Sequence, residues 1–362
     1  MKQDGKTLEL LKSFEAMNIP SIDCMVMQHG KCVFRYQSGY SDVERTKPVN
    51  GTERYNLYSC SKAVTCTAAM QLVEKDIIRL DDAVYEFLPE FKNMQKMCDG
   101  KLEPVNTVMN IRHLFTMTAG FTYNVASENI KRGQAETNGK LPTREAMKYL
   151  ACDPLSFEPG TTWQYSLCHD VLAAVVEAAS GKRFGEYVKE NIFDVLGMKN
   201  STFLLPDAEL DQLAAQYRYD AENKQFNCCG PAIQPYKMGS EYESGGAGMI
   251  STVEDYITFL ENLRVGEKLL KRETIARMTV PQISKEAQKT FWRTDYSYGL
   301  GLRCPYPGSA GQDYGWGGAA GAFLAVLPDC DAVLFHVQHV LSSPNQQMRY
   351  QLSDAVRSDL NA

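Results

Sequence analysis

The stretch RYNLYSCSKAVTCTAAMQLVEK, residues 54–75, sets Ser59 and Lys62 three positions apart at the start of an alanine-rich helical pattern. On a helix that spacing puts both side chains on one face, within reach of each other. A serine hydroxyl becomes a nucleophile when a base takes its proton. A lysine amine serves as that base when burial or a neighbouring cation lowers its pKa. The run that follows, AVTCTAAM, carries no charge, which would enclose the lysine stem. The pair is therefore a candidate for acyl transfer. The competing reading is structural: Ser59 caps the helix and Lys62 extends to water. Spacing alone leaves both open.

Two further stretches carry candidate chemistry. PGTTWQYS contains Tyr165 after a Pro159-Gly160 turn. A phenol beside an ammonium ionises below its usual pKa of about 10 and can shuttle a proton between nucleophile and leaving group. The alternative is an aromatic corner that packs a helical region. In YGWGGAAGAFLAVLPD, Trp316, Gly317 and Gly318 precede a strand-like run. Glycines there let a substrate approach the backbone closely. Acyl transfer needs two N–H donors aimed at a developing oxyanion, and the amides of Ser59 and Ala319 are the candidates. The alternative is a tight strand entry.

The elements that must position these residues follow from periodicity. Residues 6–18 predict a helix through Leu10, Phe14 and Met17. IDCMVMQHGKCVFRYQSGYSD predicts two strands joined at Gly30. From 59 to about 215 the patterns are mostly helical, with Gly120, Gly181 and Gly197 as stops. Beyond 216, strand-like runs return in QYRYD, YSYGLGLRC, GAFLAVLP and AVLFHVQHVL, with a helix around 252–263 capped by Thr252. Ser343 and Pro344 suit the start of a C-terminal helix. The economical fold is α+β: an antiparallel sheet built from both ends of the chain, flanked by the terminal helices, with an all-helical domain inserted. The expected division is 1–64 with 216–362 against 65–215.

Bulk properties exclude several classes. The chain has 362 residues, 44% hydrophobic and 23% charged, with a net charge of −6. No basic field invites nucleic acid or an anionic membrane. No apolar run approaches the roughly 18–20 residues that span a bilayer, and the N-terminus lacks a signal-like apolar stretch. Eleven cysteines are scattered without a C-x-x-C pair, which suits reduced thiols and a cytoplasmic protein. The adjacent Cys228 and Cys229 fall in a polar loop. No G-x-S-x-G elbow occurs. Of the five histidines, His169 with Asp170 begins a helix just after Tyr165 and is expected to anchor that turn. His336 and His339, three apart on a strand-like run, face opposite ways and do not chelate one metal.

Taken in order, these stretches resemble the serine hydrolases of the β-lactamase and penicillin-binding-protein superfamily, in particular class C β-lactamases and family VIII carboxylesterases. The likeness spans most of the chain. YNLYSCSKAVTCTAAMQLVEKDIIRLDDAVYEFLPEF is similar to the nucleophile helix and the segment after it, IRHLFTMTAGF to the next landmark, and FEPGTTWQYS to the tyrosine segment. GGAGMISTVEDYITFL resembles the later turn and helix, and WGGAAG occupies the third motif. The resemblance implies Ser59 as nucleophile, Lys62 as its base partner and Tyr165 as the second proton-transfer group. It also implies a β-lactamase/transpeptidase-like fold with the site between an α/β and a helical domain, and no metal or cofactor. Substrate contacts are expected from Trp316, Gly317 and Gly318, from Tyr123 at the rim, and from His339.

Two departures bear on the substrate. The lactamase Y-x-N motif reads Tyr165-Ser166-Leu167, and leucine cannot hydrogen-bond Lys62 or an amide. K-T-G is replaced by Trp316-Gly317-Gly318, as in family VIII carboxylesterases, and the missing cation forfeits a charge-assisted contact worth about 1.5–3 kcal/mol. An indole wall suits an apolar or aromatic group. The expectation is hydrolysis of a small-molecule ester. The alternatives are an amide hydrolase of β-lactamase, D-aminopeptidase or DD-peptidase type, and a catalytically silent ligand-binding homologue. Oligomeric state is not fixed by the sequence.

Overall fold

The computed structural model describes residues 1–230 and 234–362. The first helix, α1 (Lys6–Ala16), leads into the hairpin β1 (Ser21–Gln28) and β2 (Lys31–Gly39). After a long crossing comes α2 (Ser61–Glu74), and later α3 (Cys168–Ser180) and α4 (Val253–Val265). The strands β3 (Tyr296–Tyr298), β4 (Arg303–Pro305), β5 (Tyr314–Gly317), β6 (Phe323–Leu327) and β7 (Ala332–Val337) follow, and α5 (Gln351–Leu360) closes the chain. The sheet runs β2-β1-β7-β6-β5-β4-β3 with every pairing antiparallel. Both ends of the sequence therefore supply one sheet, as the strand pattern implied.

Alternation sorts the sheet's side chains onto two covered faces. Cys24 and Val26 of β1 and Phe323, Ala325 and Leu327 of β6 share a cluster with Leu11 and Phe14 of α1 and Leu352 and Val356 of α5. Leu324 and Val326 belong to the larger cluster, together with Tyr256 and Phe259 of α4. The Tyr256 ring stacks on Phe335 of β7 at 4.3 Å between centroids. The terminal helices are also tied directly. Asp359 of α5 accepts from the Lys6 and Thr7 amides at 2.9 and 2.8 Å, filling the vacant donors at the start of α1.

The helix α2 is buried without a break from Ser61 through Leu72, with Lys62, Thr65 and Thr67 among the buried residues, the burial of a central helix. It packs against α3. Among the described residues no metal-capable cluster of three or more His, Cys, Asp or Glu side chains occurs. No helix is long and apolar enough to cross a membrane, and all eleven cysteines are free.

Some local expectations are corrected. The C-terminal helix starts at Gln351, not at Ser343-Pro344. Ser343 and Asn345 instead bond the buried Gln338 side chain, which holds that segment in a turn. Tyr217–Asp220 forms a strand outside the main sheet, beside Gln225–Cys228 and Val340–Leu341. AVLFHVQHVL is therefore two strands, broken where His339 takes a left-handed φ of 49°. The helix within MNIRHLFTMTAG covers only Ile111–Phe115, so Gly120 lies beyond its stop. An exposed hairpin, Gln95–Cys98 with Lys101–Pro104, interrupts the helical middle.

Candidate active site

Ser59 sits in a single 3₁₀ turn, Tyr58–Cys60, that feeds into α2. Tyr58, directly before it, holds φ at 49°, an uncommon conformation for a bulky residue. Such a conformation costs on the order of 1–3 kcal/mol and persists only where neighbours enforce it. Here the Tyr58 hydroxyl donates to Gln216 at 2.6 Å, and its carbonyl accepts from the Ser61 hydroxyl. Ser61 in turn accepts the Met249 amide at 2.9 Å. No side chain caps the start of α2, so Ser59 is not its cap.

The Ser59 hydroxyl meets two partners instead. Tyr165 donates to its oxygen at 2.5 Å, and Lys62 Nζ donates at 3.3 Å. Lys62 is completely buried. Its ammonium also donates to the Gly246 carbonyl at 2.6 Å and to the Tyr123 hydroxyl at 3.2 Å, so all three of its donors are used. It lies 4.6 Å from the Tyr165 ring centroid. Tyr165 is stacked between Tyr123, at 5.4 Å, and Trp316, at 5.6 Å. The Trp316 indole N–H also donates to the Tyr165 oxygen at 3.3 Å. Burial, with Tyr165 and Asp170 nearby, raises the Tyr123 pKa well above its usual value, so Tyr123 stays a neutral phenol.

The third segment closes the site through a tight turn. Gly318 donates its amide to Ala322 at 2.8 Å, and Gly321 donates to Gly318 at 3.1 Å. Arg349 braces the same turn by donating to the Gly318 and Ala322 carbonyls at 2.7 and 3.3 Å. A Cβ on Gly318 would stand 2.3 Å from the Leu57 carbonyl oxygen. Only glycine lets this turn approach the segment that carries Ser59. Ser59 and Ala319 then border one cavity, the arrangement two oxyanion-facing amides require.

That cavity has a volume of about 480 Å³. The chain has three tryptophans, and all of them, Trp163, Trp292 and Trp316, line it. Tyr123, Tyr165, Tyr236 and Tyr350 add four more rings, and Gln346 and Arg349 supply the polar margin. A wall of this kind binds apolar or aromatic groups.

The structure thus brings together Ser59, Lys62, Tyr165, Tyr123, Trp316, Gly317, Gly318 and Ala319. It does not bring His339. That ring is buried, accepts the Asn56 amide at 3.2 Å, and has its other nitrogen 3.1 Å from the Ala214 carbonyl. It orders backbone and does not line the cavity. His169 lies 3.2 Å from the Phe115 carbonyl and 3.5 Å from the Cys66 sulfur, and burial lowers its pKa to about 3. Leu167 is buried, outside the cavity. Trp163, Trp292, Tyr236, Tyr350 and the Gly246 carbonyl were not anticipated. The one signal for the indoles was the tryptophan in EPGTTWQYS, two positions before Tyr165.

The sequence matches the family model described as Beta-lactamase over residues 10–354. Esterase EstB from Burkholderia gladioli is 30% identical over 326 residues, covering 82% of this chain and 80% of that protein. The solved structure of EstCE1, described as a hydrolase with promiscuous acyltransferase activity, superposes with a TM-score of 0.78 at 25% identity, covering 97% and 99% of the two chains. A simvastatin synthase variant from Aspergillus terreus superposes with a TM-score of 0.81 at 20% identity over 99% and 98%, a likeness of fold.

Proposed function

We propose, from the premise that this chain belongs to the beta-lactamase family and is a serine hydrolase or acyltransferase of it, that it hydrolyses carboxylic esters through an acyl-enzyme on Ser59. The carrying observation is the contact of one hydroxyl with both a phenol, at 2.5 Å, and a buried ammonium, at 3.3 Å. Holding one proton fewer than a phenol plus an ammonium, the Tyr165–Lys62 pair takes the Ser59 proton as Oγ bonds to the substrate carbonyl carbon. Tyr165 is the member in short contact with Oγ, and Lys62 supplies the positive charge behind it. The carbonyl oxygen, now an oxyanion, faces the Ser59 and Ala319 amides. Collapse breaks the bond to the alcohol oxygen, Tyr165 returns the proton, and the alcohol leaves. Water then attacks the acyl carbon by the reverse proton path and releases the acid.

Esters are favoured over lactams on two grounds. Buried Leu167 offers no amide recognition, and Trp316 supplies an indole where lactamases carry a cation. The aromatic cavity favours an ester with an apolar or aromatic group. The division into 1–64 with 216–362 and 65–215 fits this reading, because residues of both parts, Tyr123 and Trp163 of one and Trp292 and Trp316 of the other, line the same cavity. The same aromatic wall favours a second outcome, transfer of the acyl group to an apolar alcohol. Parallel turnover of p-nitrophenyl esters, nitrocefin and D-alanyl peptides by wild type and Ser59→Ala tests the reading. Ester kcat/KM should lead by at least about tenfold and vanish in the variant; faster lactam or peptide turnover would overturn the preference. Adding an apolar alcohol measures the transfer share.

A further inference from the structure

The turn that receives Lys62 is held from behind by a carboxylate to which the reaction above gives no role. Asp170 lies in the first turn of α3 and is completely buried. Its Oδ1 accepts the Tyr242 hydroxyl at 2.8 Å and the Ser244 hydroxyl at 2.6 Å. Its Oδ2 has no side-chain donor and lies against Gly246, where a Cβ would stand 2.3 Å from it. The Gly246 carbonyl is the shortest of the Lys62 contacts, at 2.6 Å. Among the described residues no carboxylate forms an ion pair with Lys62, so the buried cation and the buried anion face each other across a single glycine.

We propose, resting on the catalytic reading above, that Asp170 is a positioning residue: its carboxylate fixes the 244–248 turn through Ser244 and Gly246, and that turn holds Lys62 in place beside Ser59. The groups that face this pair are few. Tyr242, Tyr123 and Ser244 surround Asp170, with Glu177 farther along α3. Ser59, Tyr123 and Tyr165 contact Lys62, with the thiols of Cys60, Cys66 and Cys168 and the His169 ring around it. Burial keeps the thiols, His169, Tyr123 and Tyr242 neutral. Burial also raises the Asp170 carboxyl, and Lys62, Ser244 and Tyr242 pull it back. Removing a negative charge near an amine makes the amine easier to deprotonate. Whichever member of the Lys62–Tyr165 pair is the base, the limb of the pH profile that reports the pair must move to lower pH.

The test is the rate of Ser59 modification by a fluorophosphonate, followed from about pH 5 to about pH 10. It is run on wild type, Asp170→Asn and Ser244→Ala. Asp170→Asn is expected to slow modification at least about tenfold and lower the midpoint by about one pH unit. Ser244→Ala removes one hydroxyl from the carboxylate and should shift the midpoint the same way by less. If Asp170→Asn does not fold, the Ser244→Ala midpoint decides. Wild type that modifies normally while neither variant moves the midpoint overturns the proposal. Wild type that is not modified at Ser59 overturns the catalytic reading instead.

Discussion

Replacing Gly318 by alanine perturbs the site by one methyl group and leaves Ser59, Lys62 and Tyr165 in place. The added Cβ would stand 2.3 Å from the Leu57 carbonyl oxygen, closer than such contacts occur. Relief requires the turn and the Ser59 segment to part by roughly 0.7–1 Å. Neither side yields easily. The turn is tied by the Gly318–Ala322 hydrogen bond and by Arg349, and the Leu57 carbonyl accepts the Cys60 amide. The displacement falls on the Ala319 amide, whose distance to the developing oxyanion matters most in the transition state. An offset near 1 Å costs about 10²-fold in rate, and loss of an oxyanion donor costs about 10²–10³-fold. Gly318→Ala should therefore lower kcat for p-nitrophenyl acetate by about 10²-fold with KM within about threefold. The thermal midpoint should fall by only a few degrees, as for overpacking of roughly 1–3 kcal/mol. A variant that keeps more than about a third of wild-type kcat would refute the oxyanion assignment of Ala319.

Three further outcomes follow from the same geometry. Tyr165→Phe removes the hydroxyl 2.5 Å from Ser59 and should lower kcat by about 10²–10⁴-fold with little change in KM, measured by steady-state ester hydrolysis. All three tryptophans line the cavity, so titrating Ser59→Ala with an uncleaved aromatic ester should change intrinsic fluorescence in a saturable way; no change would place the ligand elsewhere. His169, His336 and His339 are buried with pKa values lowered to about 3, 4 and 4, against about 6.5 unfolded. The unfolded chain binds more protons between those values, so these groups stabilise the fold above about pH 6.5 and lose that contribution as pH falls towards 4. His113, lowered to about 4, acts in the same sense, while burial raises Asp23 to about 7 and also raises Asp170, Glu177, Glu243 and Asp255, which act in the opposite sense. Replacing His336 by Gln should therefore remove one histidine's share of the stability lost between pH 6.5 and pH 4, read as a smaller fall (or larger rise) of the urea midpoint than in wild type, and an unchanged pH dependence would contradict the burial of that ring.

What the sequence revealed, and what it hid, has a physical pattern. Ser59 and Lys62 were legible because their spacing allows contact and, with Tyr165, they stand in an order that resembles a known family; spacing alone did not decide their roles. The sheet was legible because the alternation in β1 and β2 and the continuous apolar runs of β6 and β7 are local signals. The Gly246 carbonyl was not, since a backbone acceptor has no letter in the sequence and arrives 184 residues from Lys62. Asp170 read as part of a helix start, and its role depends on Ser244 and Gly246 folding against it. Trp292 shows no periodicity, and it reaches the cavity beside Tyr350, 58 residues further along the chain. Ser343-Pro344 looked like a helix start because its capping chemistry is real; it is spent on Gln338.

Covalent capture of the intermediate addresses the central claim most directly. Wild-type protein quenched in acid during turnover of a p-nitrophenyl ester should gain the mass of one acyl group. Peptide mapping should find that group on Ser59, and Ser59→Ala should gain nothing. Turnover with the acyl group on another residue, or an unchanged mass gain in Ser59→Ala, would contradict a nucleophile at Ser59.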